Sequence, residues 1–221
     1  MTEKEESLRE LTGALLAGKT DEAKLRTHAA LAKGNNEREV LDAALEAVNI
    51  ISDLQGLGRY DQSKAASVEA AVNTSLQVFE EWLAKSEGKF GVKVTVGPVG
   101  IKNGSLSALA VSASLRSVGF RSTNLGKTQT ALDLLRNSEE LGSDLVVPIL
   151  PDGDDQHMLD FAEAYERGGF KNKFEIIAIA SGLSENVRVN IIIARNSEEA
   201  ISRATQWAIR NAKRRISGSS A

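Results

Sequence analysis

The sequence predicts two halves, a helical bundle followed by an α/β domain with a five-stranded parallel sheet. Up to about residue 88, apolar residues recur at the three- and four-residue spacing of amphipathic helices. From residue 89 onwards, continuous apolar runs such as "DLVVPIL" and "FEIIAIA" suit parallel strands that are buried on both faces. These runs alternate with helical stretches, which is the pattern of a doubly wound sheet.

Four helices are predicted in the first domain, residues 1–88. Breaks at Gly18, at 34–36 and at 56–58 separate them. Connections this short favour an antiparallel four-helix bundle. The apolar positions that mark the helices are Leu8, Leu11, Leu15 and Leu16; Leu25 and Leu31; Leu41, Leu45, Val48 and Ile51; and Val68, Val72, Leu76, Phe79 and Leu83.

Five strands and four helices are predicted in the second domain, residues 89–221. In an open parallel sheet, ligands bind above the carboxyl ends of the strands. We therefore expect a ligand near the loops Gly100–Ser105, Pro151–His157 and Ser181–Asn186. The predicted strands are 94–99, 120–125, 145–150, 174–180 and 189–194, and the predicted helices are 105–118, 127–141, 156–167 and 197–214.

The composition excludes several classes of function. The formal charge is −3, which gives no reason to expect nucleic acid or an anionic membrane as a partner. The chain has no cysteine and two histidines, so disulfides, thiolate sites and multi-histidine metal sites are excluded. It shows no export leader and no apolar run long enough to span a membrane, so we expect a soluble, cytoplasmic protein.

The chain resembles the corrinoid proteins of cobalamin-dependent methyltransferase systems, in which a four-helix cap accompanies a flavodoxin-like, Rossmann-type B12-binding domain. In the first half, the resemblance rests on the helix lengths, the turn "AKGNNEREVLDAAL" and the break "GLGRY". In the second half, it rests on "KVTVGPVG", "LRSVGF", "LGSDLVVPIL" and "GGFKNKFEIIAIASG". The resemblance covers nearly the whole chain and implies a bound corrinoid and a separate methyltransferase.

The hallmark of that family, an Asp-x-His-x-x-Gly loop after the first strand, is absent. An ungapped alignment puts Lys102 in place of the family's Asp, Gly104 in place of its cobalt-ligating His and Ser107 in place of its Gly. Glycine cannot ligate cobalt, and lysine cannot orient an imidazole as a carboxylate does. The resemblance therefore implies that this loop gives no ligand to cobalt.

Two further family patterns are altered. The Ser-x-Leu after the third strand falls at Ile149 and Pro151, and the Gly-Gly after the fourth falls near 180–181, with Gly182 close by. In the family, these small and hydroxyl residues line the slot for the nucleotide tail. In this chain the slot would meet Ile149, Pro151 and several acids.

The first hypothesis is a carrier that binds cobalamin or a related tetrapyrrole between its two domains, without a histidine from the first loop. It would serve a separate methyltransferase or another protein subunit, and a homodimer is compatible with it. The alternative is a cofactor-free paralogue that acts as a regulatory or structural partner subunit. A third hypothesis, an enzyme acting on a small anion held by Lys102 and the helix start at 104–106, lacks a visible catalytic pair. The predicted binding residues are Lys102, Asn103, Gly104, Ser105, Ile149, Pro151, Asp152, Gly153, His157, Ser181 and Gly182, with His157 as the candidate metal ligand.

The segment "PDGDDQHM", residues 151–158, has an unusual concentration of acids beside a histidine. Oxygen and imidazole donors at this spacing suit a divalent cation, or His157 alone suits a tetrapyrrole metal. The simpler interpretation is that Asp154 or Asp155 caps the following helix.

Two other segments have a functional and a structural interpretation. "NLGKTQT", residues 124–130, is similar to the end of a phosphate-binding loop, but it lacks the first glycine and is more simply a turn capped by Thr128. Phe79 and Trp82 would either stack on a planar ligand or pack inside the protein.

Overall fold

The fold is described by a computed structural model that covers residues 2–86, 88–101 and 104–218. The chain divides into two compact units, Met1–Lys85 and Ser86–Ala221. The domain boundary expected between residues 88 and 89 stays a prediction. In the described residues, no helix is both long and apolar enough to span a lipid bilayer.

The first unit is helical. Two helix starts are closed by reciprocal capping boxes, Thr2 with Glu5 and Asn36 with Glu39, which satisfy amides that lack a partner within the helix. The predicted fourth helix is interrupted at Phe79, whose amide donates a hydrogen bond to the carbonyl of Leu76. The helices are α1 Glu3–Ala17, α2 Thr20–Ala32, α3 Glu37–Gly56, α4 Gln62–Val78 and α5 Glu80–Ser86.

The second helix does not bury the stripe that the sequence predicts. Leu25 is 66% exposed, whereas α2 buries the smaller side chains of Ala23, Thr27 and Ala30. The hydroxyls of Thr27 and Ser75 lie 2.8 Å apart in a buried hydrogen bond that joins α2 to α4. Small residues let the two helices approach closely, which explains why the larger leucine faces outward.

The second unit confirms the predicted five-stranded, all-parallel sheet. The strands are ordered β2-β1-β3-β4-β5, so the chain order reverses beside β1, as in doubly wound folds. Their bounds are β1 Lys93–Pro98, β2 Arg121–Asn124, β3 Leu145–Ile149, β4 Glu175–Ile179 and β5 Ile192–Ala194.

Helices cover both faces of the sheet. α6 and α9 pack on one face around Val111, Leu115 and Ala204, and α7 and α8 pack on the other around Leu134 and Phe161. Two apolar layers therefore hold the sheet between them. The helices are α6 Ser105–Val118, α7 Ala131–Glu140, α8 Asp155–Arg167 and α9 Ser197–Gly218.

The start of α7 corrects one local prediction. Thr130, not Thr128, caps the helix and accepts the amide of Asp133. A parallel bridge between Val99 and Gln129 keeps the preceding segment extended, so the helix begins later than expected. Thr128 instead donates its hydroxyl to the carbonyl of Ile101. This segment therefore supports the loop after β1.

Candidate functional site

The candidate site is the carboxyl edge of the sheet, where the loops after β1, β3 and β4 follow their strands. The ladder continues past the strand ends: the amide of Val99 donates to Ile149, the amide of Leu150 donates to Ile179, and both distances are 2.9 Å. The amide of Gly153 then donates to the carbonyl of Ser181 at 2.8 Å. Main-chain hydrogen bonds thus hold the three loops side by side.

Gly104, the residue that precedes α6, has no room for a side chain. A Cβ added there would lie 2.4 Å from Cβ of Pro98, a distance that real Cβ atoms do not show. Its φ of −81° suits any residue, so the constraint is steric rather than conformational. Pro98 ends β1 and is held in register with Ile149, so it cannot move away easily. Position 104, which the resemblance aligns with the family's histidine, therefore has no room for a side chain.

The loop after β1 instead receives a side chain from another loop. A Cβ added to Gly100 would lie 2.5 Å from Cδ2 and 2.6 Å from Nε2 of His157. The edge of the imidazole thus fills the space that a side chain at position 100 would occupy. Gly100 also has a φ of +73°, which disfavours other residues. His157 therefore reaches from the start of α8 to the loop after β1.

Asp154 fixes the orientation of His157. One carboxylate oxygen, Oδ1, accepts the main-chain amide of His157 at 3.0 Å, and the other, Oδ2, lies 2.7 Å from Nδ1 of the ring. These hydrogen bonds, chiefly the one from the main-chain amide, hold the pKa of Asp154 below its usual value. Asp154 is the N-cap of α8, as the simpler interpretation of the segment predicted.

Asp155 turns away from that pair and holds the loop after β4. Its Oδ1 accepts the amide of Ser184 at 2.9 Å. Hydrogen bonds from the hydroxyl and amide of Ser184 lower the pKa of Asp155. Asp152 is exposed.

The carboxylates of "PDGDDQHM" therefore point to different partners. In the ranges that the structure describes, which include this whole segment, no three His, Asp or Glu side chains gather as a metal site. The contacts of Asp154 with His157 and of Asp155 with Ser184 therefore favour the capping interpretation of this segment over a divalent-cation site.

The loops after β3 and β4 also touch through glycines. A Cβ on Gly182 would lie 3.5 Å from both the Cα and the nitrogen of Gly153. Both glycines have positive φ, +66° for Gly153 and +65° for Gly182. The predicted residues Gly153, Ser181 and Gly182 are thus brought together, through their main chains.

The remaining predicted residues contribute less. Ile149 is 7% exposed and belongs to the hydrophobic core, whereas Pro151 is half-buried beside the edge. Ser105 opens α6 and is half-buried. Lys102 and Asn103 lie outside the described residues. In the helical unit, Phe79 is 1% exposed and so cannot stack on a ligand, and Trp82 is half-buried.

A cleft of about 630 Å³ lies at the opposite edge of the sheet, before β4 and beside α9. It is lined by the segment 171–175 and by Trp207 and Arg210, and no sequence pattern indicated it. Part of its charge is already neutralised, because Lys173 pairs with Glu139. We place the candidate site at the carboxyl edge because the imidazole and its oriented carboxylate lie there.

Sequence reasoning missed the two contacts that organise this edge. The sequence places Gly100 in the loop after β1, but it does not show that the ring of His157 packs against this glycine. That contact joins residues more than fifty positions apart in the chain. The three-residue spacing of Asp154 and His157 is a signal for their pairing, because an N-cap carboxylate can contact a side chain in the first turn of its helix.

Comparisons with known proteins bear on the fold. No family model matches the chain, and no curated relative matches it. Among solved structures, the chain is similar to the monomethylamine corrinoid protein of Methanosarcina barkeri, with a TM-score of 0.63 and 16% identity over 91% of this chain and 98% of that one.

Two further structures are similar at lower scores. One is a cobalamin-binding protein from Desulfitobacterium hafniense DCB-2, with a TM-score of 0.46 and 16% identity over 90% of this chain and 98% of that one. The other is the methanol:cobalamin methyltransferase complex MtaBC of Methanosarcina barkeri, with a TM-score of 0.46 and 14% identity over 92% of this chain and 80% of that one. The match to the monomethylamine corrinoid protein confirms the predicted fold class for the chain: a helical region followed by a five-stranded parallel α/β domain.

Proposed function

We propose that this protein is a corrinoid-type carrier that binds cobalamin, or a related tetrapyrrole, at the carboxyl edge of its sheet and serves a separate methyltransferase. The observation that carries the proposal is the fold, which is similar to a corrinoid protein over 91% of this chain and 98% of that one. The bound corrinoid would supply the metal centre that carries the methyl group. The methyltransferase partner rests on the resemblance in sequence.

The residues at this edge fit a corrinoid only if position 104 is not needed to supply a ligand to the metal. Pro98 occupies the space of a side chain at Gly104, so that position supplies no donor. The corrinoid would therefore keep its own nitrogen base on cobalt or take a donor from elsewhere on the edge. The main-chain carbonyls, the glycines at 153 and 182 and the half-buried Ser181 would form the polar surface beside it.

One observation favours the cofactor-free alternative, a paralogue that acts as a regulatory or structural subunit. The loops after β3 and β4 are joined by the Gly153–Ser181 hydrogen bond and by the tether from Ser184 to Asp155. These contacts occupy the region in which the family patterns place the nucleotide tail. A protein with no cofactor would use the same contacts simply to close the edge.

Reconstitution decides between the two. The purified full-length protein is mixed with hydroxocobalamin, free corrinoid is removed by gel filtration, and the visible spectrum of the protein fraction is recorded. The proposal predicts retained corrinoid at no more than one equivalent, with a spectrum shifted from that of the free compound. Absence of corrinoid from the protein fraction would overturn the carrier and leave the paralogue.

A matched pair of variants locates the binding site. Asp152→Trp and Asn172→Trp each place an indole on an exposed loop residue, the first at the carboxyl edge and the second beside the cleft at the opposite edge. We expect Asp152→Trp to weaken corrinoid retention and Asn172→Trp to leave it unchanged. The reverse result would move the site to the cleft.

A further inference from the structure

The side-chain arrangement at the start of α8 has the form of an oriented metal ligand. Asp154 uses both carboxylate oxygens on one residue, holding the main-chain amide of His157 at 3.0 Å and its Nδ1 at 2.7 Å. A carboxylate can only accept, so Nδ1 carries the proton and donates it to Asp154. In the neutral ring, Nε2 therefore keeps its lone pair.

That Nε2 atom lies at the loop after β1. It stands 2.6 Å from the place where a Cβ of Gly100 would be, so the absence of a side chain at position 100 is what admits the ring. The side chain of His157 is 43% exposed, which leaves the ring open to a ligand. In the described ranges, Nε2 has no hydrogen-bond partner, while Nδ1 is committed to Asp154.

The neighbouring position cannot serve in the same way. A side chain at Gly104 would collide with Pro98 at 2.4 Å, while the glycine at 100 is filled by an imidazole that comes from another loop. At Gly104 there is thus no room for a donor side chain from the β1 loop. At Gly100 there is room for the imidazole of His157, which comes from the β3 loop. Both features concern the same loop, and each requires a glycine.

We propose that the pair Asp154–His157 supplies the nitrogen donor to the metal of the bound corrinoid; this inference rests on the proposed carrier function. Nε2 would hold the metal through its lone pair in place of a water, while the proton would stay on Nδ1 beside Asp154. No electron is transferred in this step. A carboxylate on the far nitrogen raises the basicity of a ligating imidazole and fixes its orientation, as in carboxylate–histidine–metal arrangements generally.

The test uses cobinamide, a corrinoid without the nucleotide base, so that any nitrogen bound axially to cobalt must come from the protein. Full-length protein is loaded with cobinamide, the metal is reduced to Co(II), and the electron paramagnetic resonance spectrum is recorded. Wild type should show the triplet splitting of one axial nitrogen. Protein grown with nitrogen-15-labelled histidine should show a doublet instead.

Two variants separate loss of the metal ligand from loss of the fold. His157→Ala should lose the nitrogen splitting, and free imidazole should restore it. The variant should stay folded, because the main-chain amide at position 157 still donates to the carboxylate of Asp154. His28→Ala, at the exposed histidine of α2, is the matched control and should keep it. Circular dichroism confirms that each variant is folded.

Asp154→Asn separates the cap from the orienting role. Asparagine caps helices as well as aspartate does. Its amide nitrogen, however, would donate to Nδ1 and move the ring proton to Nε2, which removes the lone pair. We expect cobinamide affinity to fall by about 10–100-fold, as for other partners of metal-bound histidines. An unchanged affinity and splitting would overturn the role assigned to Asp154.

The outcomes also separate this inference from the carrier function. Cobinamide that is retained without nitrogen splitting, or splitting that survives in His157→Ala, overturns the assignment of His157 and leaves the carrier intact. If neither cobalamin nor cobinamide is retained by wild type, the carrier function fails and the inference fails with it.

Discussion

The loops after β1 and β3 lie at the same edge of one sheet, but their side chains are distributed in opposite ways. The β1 loop has glycines at 100 and 104, and a neighbouring side chain fills the space at each one. The β3 loop carries Asp152, Asp154, Asp155 and His157 and sends its imidazole into the other loop. In a parallel sheet the loops that follow neighbouring strands are adjacent, so a side chain of one loop can occupy space left by a glycine in the next.

The largest expected effect comes from placing a histidine at Gly104. We expect Gly104→His to lose at least about 1–3 kcal/mol of unfolding free energy, because its Cβ overlaps Pro98 in a packed region. Urea unfolding in a Trp82→Phe background measures this, since Trp207 then reports on the α/β unit alone.

The control for that substitution is Gly13→His, whose urea unfolding is followed by circular dichroism because Trp207 does not report on the helical unit. Gly13 lies within α1, and a Cβ there has nothing within 4 Å. It should therefore be neutral or slightly stabilising in the helical unit, because glycine is a poor helix former. A neutral Gly104→His would contradict the collision with Pro98. If Lys102→Asp were added and a new axial nitrogen signal appeared, the β1 loop could supply a ligand, and its contrast with the β3 loop would be wrong.

A smaller loss of unfolding free energy is expected for Gly100→Ala, and Gly126→Ala is the matched control variant. Both glycines have positive φ, +73° and +63°, so alanine costs about 1–2 kcal/mol of backbone strain at each. At Gly126 a Cβ meets nothing within 4 Å, whereas at Gly100 it must displace the ring of His157.

The difference between the two glycine variants in unfolding free energy measures the cost of moving that ring. Adding His157→Ala to Gly100→Ala should remove the difference. Equal losses for Gly100→Ala and Gly126→Ala from the outset would show that the imidazole is not seated on the β1 loop in solution.

The third prediction concerns pH. The pKa of Asp154 is lowered by hydrogen bonds from His157, so its ionised form is favoured by folding. Its contribution is therefore present above the unfolded value, about 3.9, and is lost as pH falls through the lower folded value. The stability difference between wild type and Asp154→Asn should shrink on acidification below about pH 4. Urea midpoints over a pH series test this, and a difference that grows on acidification would contradict it.

The smallest effect is expected at the third loop. Asp155→Ala removes the acceptor of the Ser184 amide, so exchange of that amide with deuterium should accelerate while the overall fold is retained. Asp152→Ala, at the exposed neighbouring acid, is the control and should leave the Ser184 amide unchanged. Equal protection of Ser184 in both variants would show that the β4 loop is not held by Asp155.

The sequence was sufficient for the architecture because the strands are continuous apolar runs and the helices have periodic faces. It predicted α6 at 105–118, the same residues as observed, but it began α7 at 127, four residues too early. The later start depends on the bridge between Val99 and Gln129, which joins residues far apart in the chain. The prediction that Leu25 is buried was wrong for a similar reason. Its exposure reflects the close packing of α2 against α4 rather than local periodicity.

The candidate site was predictable only in part. The cap at Asp154 follows from local helix chemistry, and the location of the loops follows from parallel topology. The collision at Gly104 and the seat at Gly100 do not, because a glycine in a sequence does not reveal which neighbouring side chain occupies its empty space.

Binding of a corrinoid at the carboxyl edge of the sheet, as we propose, is best tested by hydrogen–deuterium exchange with and without hydroxocobalamin. We expect added protection in peptides that cover the loops after β1, β3 and β4, and no change in peptides that cover residues 171–175 and 203–211 at the opposite edge. Protection confined to that opposite edge, or no protection anywhere at saturating hydroxocobalamin, would contradict it.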